Sequence, residues 1–99
     1  MQLKSVTPID KSKLQVSFTD GTAGIFDLTD YLEFIGVLDI LKNEDIFKQV
    51  TIKENTIHWT DDCELSPETI YSIITGKKII IDNKVVFDPA LKKNAWIKI

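Results

Sequence analysis

The chain has 99 residues, enough for one domain with a single core and too few for two. Hydrophobic residues make up 43% and charged residues 27%, with four glycines and three prolines, a composition that excludes disordered and fibrous chains. The single cysteine excludes an internal disulfide, no apolar run reaches the ~18 residues of a membrane span, and a formal charge of −3 argues against a general affinity for nucleic-acid phosphate.

Without a charged start followed by an apolar run, and with one cysteine, a reducing cytoplasm is the expected location. In chain order, "LKSVTPI" reads as a short strand ended by Pro8, which cannot donate a ladder hydrogen bond. "KLQVSF" then places Leu14, Val16 and Phe18 on one face of a half-buried strand. Asp20 and Gly21 turn it, and Phe26 and Leu28 continue the core face on the return strand. Asp30 and Glu33 are spaced like a capping box, so a short helix is expected from Asp30, interrupted at Gly36, with Leu38, Leu41 and Phe47 as apolar anchors beyond it. "QVTIKENTIHW" returns to alternation as a second hairpin through Glu54 and Asn55, with Ile57 and Trp59 facing the core. "SPETIYSIITG" is the clearest helix: Ser66 caps it, Pro67 takes the first position, Glu68 faces the positive end of the dipole, and Ile70, Ile73 and Ile74 form the buried stripe up to Gly76. After it, "KIIIDNKVVF" reads as a third hairpin through Asp82 and Asn83, and "AWIKI" as a last strand. The fold class is therefore α+β: antiparallel hairpins forming a sheet packed against one or two short helices, in one domain over residues 1–99 with an extra C-terminal hairpin.

The chemistry-bearing residue types crowd into "IHWTDDCELSPETIY", which holds the only histidine, His58, and the only cysteine, Cys63. Zinc wants three or four close ligands, usually paired Cys or His, and the chain has one of each. A nucleophilic Cys63 needs a base and an orienting group, whereas His58, between inward-facing Ile57 and Trp59, is expected to point to solvent. The expectation is thus no catalytic residue, no metal and no cofactor; the alternative is a small-ligand or metal-dependent enzyme centred on residues 58–64.

Charge divides the chain. Residues 1–76 carry six lysines against thirteen carboxylates, a balance of −7, and residues 77–99 carry six lysines against Asp82 and Asp88, a balance of +4. Lysines on a strand pair are a common guard against edge-to-edge pairing. The other reading makes Lys77, Lys78, Lys92, Lys93 and Trp96 a surface for an acidic partner. Left free in water, Ile79, Ile81, Val85 and Phe87 would expose a patch that soluble monomers avoid, so the hairpin must cover its own body or a second copy. The partners expected are therefore the chain itself, as a homodimer, or a small partner protein, with no direct nucleic-acid binding and no membrane.

The order of Asp20-Gly21, Asp27-Leu28, a strand ending in Trp59, and Leu65, Pro67, Glu68 and Tyr71 over about residues 3–76 resembles the Domain of Unknown Function 2442 family of small bacterial domains. Glu64 stands where that family usually has aspartate, and Cys63 where a small or polar residue is common. The resemblance implies an antiparallel α+β domain with no established enzymatic activity, found alone or fused to a helix-turn-helix domain, and in some members one half of a toxin and antitoxin-like pair. It leaves residues 77–99 as an added, basic β-rich extension, too short and too β-like for a fused DNA reader. On both counts the expected role is a non-enzymatic interaction or regulatory module.

Overall fold

The computed structural model of the chain describes residues 1–97. The opening strands form an antiparallel meander of β1 (Leu3–Ile9), β2 (Lys13–Phe18) and β3 (Ala23–Asp27) in that spatial order. Leu14, Val16 and Phe18 are buried as the alternation requires. Pro8 does not end its strand: it pairs with Leu14, and β1 continues to Ile9 before Asp10 turns at φ 55°. The proline is tolerated because β1 is an edge strand, where one missing donor leaves no neighbour unpaired. At the β2–β3 hairpin, Phe18 N–H donates to Thr22 O at 2.8 Å and Gly21 N–H to Phe18 O at 3.1 Å, a three-residue loop closed by Gly21 at φ 92°.

The expected helix from Asp30 is replaced by two shorter pieces. A 3₁₀ turn spans Leu28–Asp30 and is capped by Asp27, whose carboxylate accepts from Thr29 N–H; Asp30 lies inside the turn and caps nothing. Asp27 is better placed because the strand delivers it in the extended conformation a cap needs, φ −93° and ψ 116°. Gly36, expected to interrupt a helix, opens a second 3₁₀ segment, Gly36–Lys42. A single helical turn follows, α1 (Glu44–Phe47), capped by Asn43, and it carries Phe47 into the core.

The second sheet is β4 (Thr51–Lys53), β5 (Thr56–Thr60) and β6 (Cys63–Leu65), again antiparallel and in chain order. Glu54 and Asn55 both take positive φ, as a two-residue type I′ hairpin demands. The Asn55 amide also accepts from Leu3 N–H at 2.8 Å and donates to Met1 O at 3.1 Å, tying the chain start to this hairpin. Asp61 and Asp62 form the turn after Thr60, and Cys63–Leu65 pairs back along β5 as a further strand. α2 (Pro67–Thr75) begins at Ser66, whose hydroxyl accepts from Thr69 N–H, and ends at Gly76. It crosses β3 at Gly24, where a Cβ would lie 3.0 Å from Ile74 Cγ2, so a larger residue there requires the Ile74 side chain to give way.

The tail hairpin folds as read. β7 (Ile79–Ile81) and β8 (Lys84–Phe87) pair through Asp82 and Asn83, both at positive φ. A 3₁₀ segment over Pro89–Asn94 then returns the chain so that Trp96 bridges Phe87 and Ile97 N–H donates to Val86 O at 3.0 Å. Lys98 and Ile99, the end of the expected last strand, lie outside the described residues. The architecture is mixed α+β, with antiparallel sheets of three, three and two strands and short helices. One apolar cluster runs through it, from Leu3 through Leu14, Phe47, Ile57 and Ile70 to Phe87 and Ala95. The tail thus supplies fully buried residues to the same core as the body.

Candidate partner surface

The crowded stretch divides between two faces of the second sheet. His58 pairs with Thr51 on one side and Glu64 on the other, so it shares their face, while Ile57 is fully buried and Cys63 is 1% exposed. The thiol belongs to the core, and burial pushes its pKa up, away from the reactive thiolate. The histidine is not bare, as the strand pattern implied. Its side chain is only 14% exposed, and its Nε2 lies 3.1 Å from Asp61 Oδ1, which also takes the Lys53 ammonium at 3.3 Å. Those two hydrogen bonds, from His58 first and Lys53 second, hold the Asp61 carboxyl below its ordinary range. Beside them a polar cleft of about 360 Å³ is lined by Lys53, Glu54, Thr56, Asp61 and Glu64. Among the described residues no group of three His, Cys, Asp or Glu side chains is arranged to hold a metal ion.

The polar residues that carry the family resemblance are engaged in holding elements together. Tyr71 on α2 donates its hydroxyl to Asp20 Oδ2 at 2.8 Å, accepts from Thr22 Oγ1 at 3.3 Å, and packs edge-on against Phe18 with ring centroids 4.9 Å apart. The Asp-Gly hairpin is thereby clamped to the helix. Asp20 accepts from Thr22 N–H and from Tyr71, and both bonds lower its pKa. Burial pushes the Asp27 carboxyl up, but hydrogen bonds from Thr29 and Ser12 outweigh it and leave the group below its ordinary value. Trp59 donates its indole N–H to Phe47 O at 3.0 Å and packs on the Phe47 ring at 5.7 Å, which ties β5 to α1.

In the tail the arrangement is reversed: apolar groups face water. Ile80, Ile81, Leu91, Trp96 and Ile97 are all exposed, Ile80 and Ile81 at 60% and 58%. They differ from the expected patch of Ile79, Ile81, Val85 and Phe87 because the two-residue turn sets Ile81 opposite Lys84 while a bulge between Ile79 and Ile80 sends Phe87 inward. Of the five expected surface residues, Lys77 and Lys78 follow α2 and line an apolar cavity of about 270 Å³ with Tyr71, Thr75 and Ile79. Lys93 and Trp96 are exposed, Trp96 packing edge-on against Phe87 at 4.7 Å. Lys92 is turned onto the body, its ammonium 5.2 Å from the Tyr31 ring centroid, which docks the 3₁₀ segment on the turn at Leu28–Asp30. The ladder Ile79–Phe87–Trp96 brings both ends of the tail side by side, so Lys78 and Trp96 belong to one region and Lys92 to another. Ile80 and Ile97 were missed as surface residues; the register signal was present in the Asp82-Asn83 turn, and the bulge left none.

Neither a curated protein nor a solved structure matches the chain. A family described as a protein of unknown function (DUF2442) matches residues 3–76, the segment that ends where α2 stops and that contains the Asp20–Tyr71 clamp, the Asp27 cap and the Trp59 anchor. With three quarters of its length in that match, the chain belongs to this family.

Proposed function

We propose that the protein is a non-enzymatic protein-interaction module of the cytoplasm that engages its partner through the tail. One observation carries this reading: five large apolar side chains stand exposed between Ile80 and Ile97, within a 77–99 tail whose charge balance is +4, attached to a body at −7. Exposed apolar groups in a lysine-rich segment fit a protein surface that offers apolar contact with an acidic rim. The separation of Cys63 from His58 by the thickness of a sheet weighs against the alternative, an enzyme centred on residues 58–64. No helix among the described residues is long and apolar enough to cross a membrane.

Two measurements test the reading. The purified protein is incubated with a panel of hydrolase and nucleotide substrates, where no turnover is expected; turnover abolished by His58→Ala or Cys63→Ala would overturn it. In parallel, DNA and RNA oligonucleotides are titrated, and any affinity through the lysines should collapse between low and physiological salt. A shift that persists at physiological salt would make the tail a nucleic-acid surface instead.

A further inference from the structure

The tail hairpin has one satisfied edge and one open edge. β8 is paired on both sides, with β7 and with the bridge at Trp96, whereas among the described residues β7 pairs only with β8. The lysines expected to guard this edge flank the strand, and the strand itself is Ile79-Ile80-Ile81 without a charge. Neighbouring strand residues point to opposite faces, so high exposure of both Ile80 and Ile81 means that both faces of the outer hairpin stand clear of the body. A strand can approach there without a clash.

The turn fixes which backbone groups look outward. In a two-residue hairpin the flanking residues, here Ile81 and Lys84, exchange both hydrogen bonds, so the next residue, Ile80, turns its N–H and C=O away from β8. An antiparallel two-fold pair centred on Ile80 lets each copy bond the other's outward N–H and C=O. That register sets Ile79 opposite Ile81 of the other copy and Lys78 opposite its Asp82, one of the two carboxylates of the tail, at both ends of the pair. A centre moved to Ile79 or Ile81 breaks the Lys78–Asp82 match, so the charges select the centre at Ile80.

We propose that β7 is a dimerisation strand: two copies of this chain pair their β7 edges antiparallel about a two-fold axis at Ile80, with reciprocal Lys78–Asp82 contacts. The proposal deepens the interaction reading by naming a second copy as the partner, and rests on that reading. A short strand pair is a small interface, so the dimer dissociates on dilution.

Sedimentation equilibrium of the full chain between about 10 µM and about 1 mM should show the mass rising from one chain toward two. Register is read by oxidising single-cysteine insertions: Ile80→Cys faces its own copy at a separation that suits a disulfide and should cross-link, whereas Ile81→Cys faces residue 79 and should not. Cys63 is buried and does not compete. Lys78→Glu, on an exposed residue that leaves the hairpin intact, should weaken association by about tenfold through repulsion from Asp82, and Lys93→Glu, outside the strand, should leave it unchanged. A chain that stays monomeric at the highest concentration, cross-linking as ready through residue 81 as through residue 80, or equal effects of the two lysine changes would each overturn the proposal. None of these outcomes touches the interaction reading, which falls only on turnover or salt-resistant nucleic-acid binding.

Discussion

The family segment and the tail solve the same problem, holding short elements together, in opposite ways. In residues 3–76 polar side chains act as staples: Asp27 and Ser66 cap, Asn55 ties the chain start, and Tyr71 clamps the Asp20 turn to α2. In the tail the hold on the body is apolar, through Phe87, Pro89 and Ala95, with Lys92 laid over Tyr31. Polar staples fix geometry and leave a surface that is already satisfied. Apolar anchoring through one face of a narrow hairpin leaves the other face and the outer edge uncovered, and Ile80, Ile81, Leu91, Trp96 and Ile97 stand exposed along this short segment, whereas the family segment exposes Ile25 on β3 and Ile35 and Val37 around Gly36. The contrast teaches where to look for a partner: not at the residues that define the family, but at the element added to it.

The sharpest way to break this comparison is to remove the tail. Truncation after Gly76 takes Phe87 and Ala95, both fully buried, out of the common core, and the shortened chain should lose its cooperative thermal transition in circular dichroism. An unchanged melting curve would make the tail an accessory and the core a property of the family segment alone. Phe87→Ala asks the same of one side chain and should cost about 3–5 kcal/mol in a denaturant melt, the range for emptying a buried phenylalanine site. Trp59→Ala should cost about 3 kcal/mol, the low end of that range, because its ring is only partly buried even though it loses both the Phe47 packing and a hydrogen bond. If Trp59 outweighs Phe87, the family segment and not the shared core dominates stability.

Much of this was legible in the residues because it is local. The Asp20-Gly21, Glu54-Asn55 and Asp82-Asn83 pairs each announce a hairpin, and each hairpin is present, since turn chemistry is decided within four residues. Ser66 and Pro67 mark the helix start for the same reason. What failed was not decided by alternation and motif spacing alone. Pro8 reads as a stop because nothing local says that β1 is an edge, and Asp30 looks like the cap because its spacing to Glu33 imitates a capping box while Asp27 sits at the end of a strand. Alternation alone points His58 to water, yet the Asp61 carboxylate reaches back to its ring and the side chain is mostly covered. In the tail, the fate of Phe87 and Ile80 hangs on a bulge for which the sequence carries no signal.

A smaller effect sharpens the comparison from the polar side. Ser66→Ala leaves first-turn N–H groups of α2 without their acceptor and should cost about 1 kcal/mol by denaturant melt. A larger loss would mean that the serine also matters through its contact with the buried Thr69 hydroxyl at 2.9 Å.

The smallest expected effect is on acid stability, and it isolates the clamp. Asp20 is exposed, so its bond to Tyr71 and the bond from Thr22 N–H contribute little at neutral pH, but both favour the carboxylate and depress its folded-state pKa. For a group whose pKa is lowered on folding, the added stability is fully present above the unfolded value of about 3.9 and disappears as the pH falls through the lower, folded value. Asp27 and Asp61 are depressed in the same sense, so the protein should hold its stability down to about pH 4 and lose it progressively below. Asp20→Asn keeps an acceptor for the tyrosine but removes the titration; its melting temperature should match that of the unaltered chain more closely at pH 3 than at pH 7. Tyr71→Phe should do the same in part, since the bond from Thr22 N–H survives it. A wild-type acid profile in both variants would mean that the Asp20–Tyr71 contact is geometry without energetic consequence, and that the family segment, like the tail, is held by its apolar contacts.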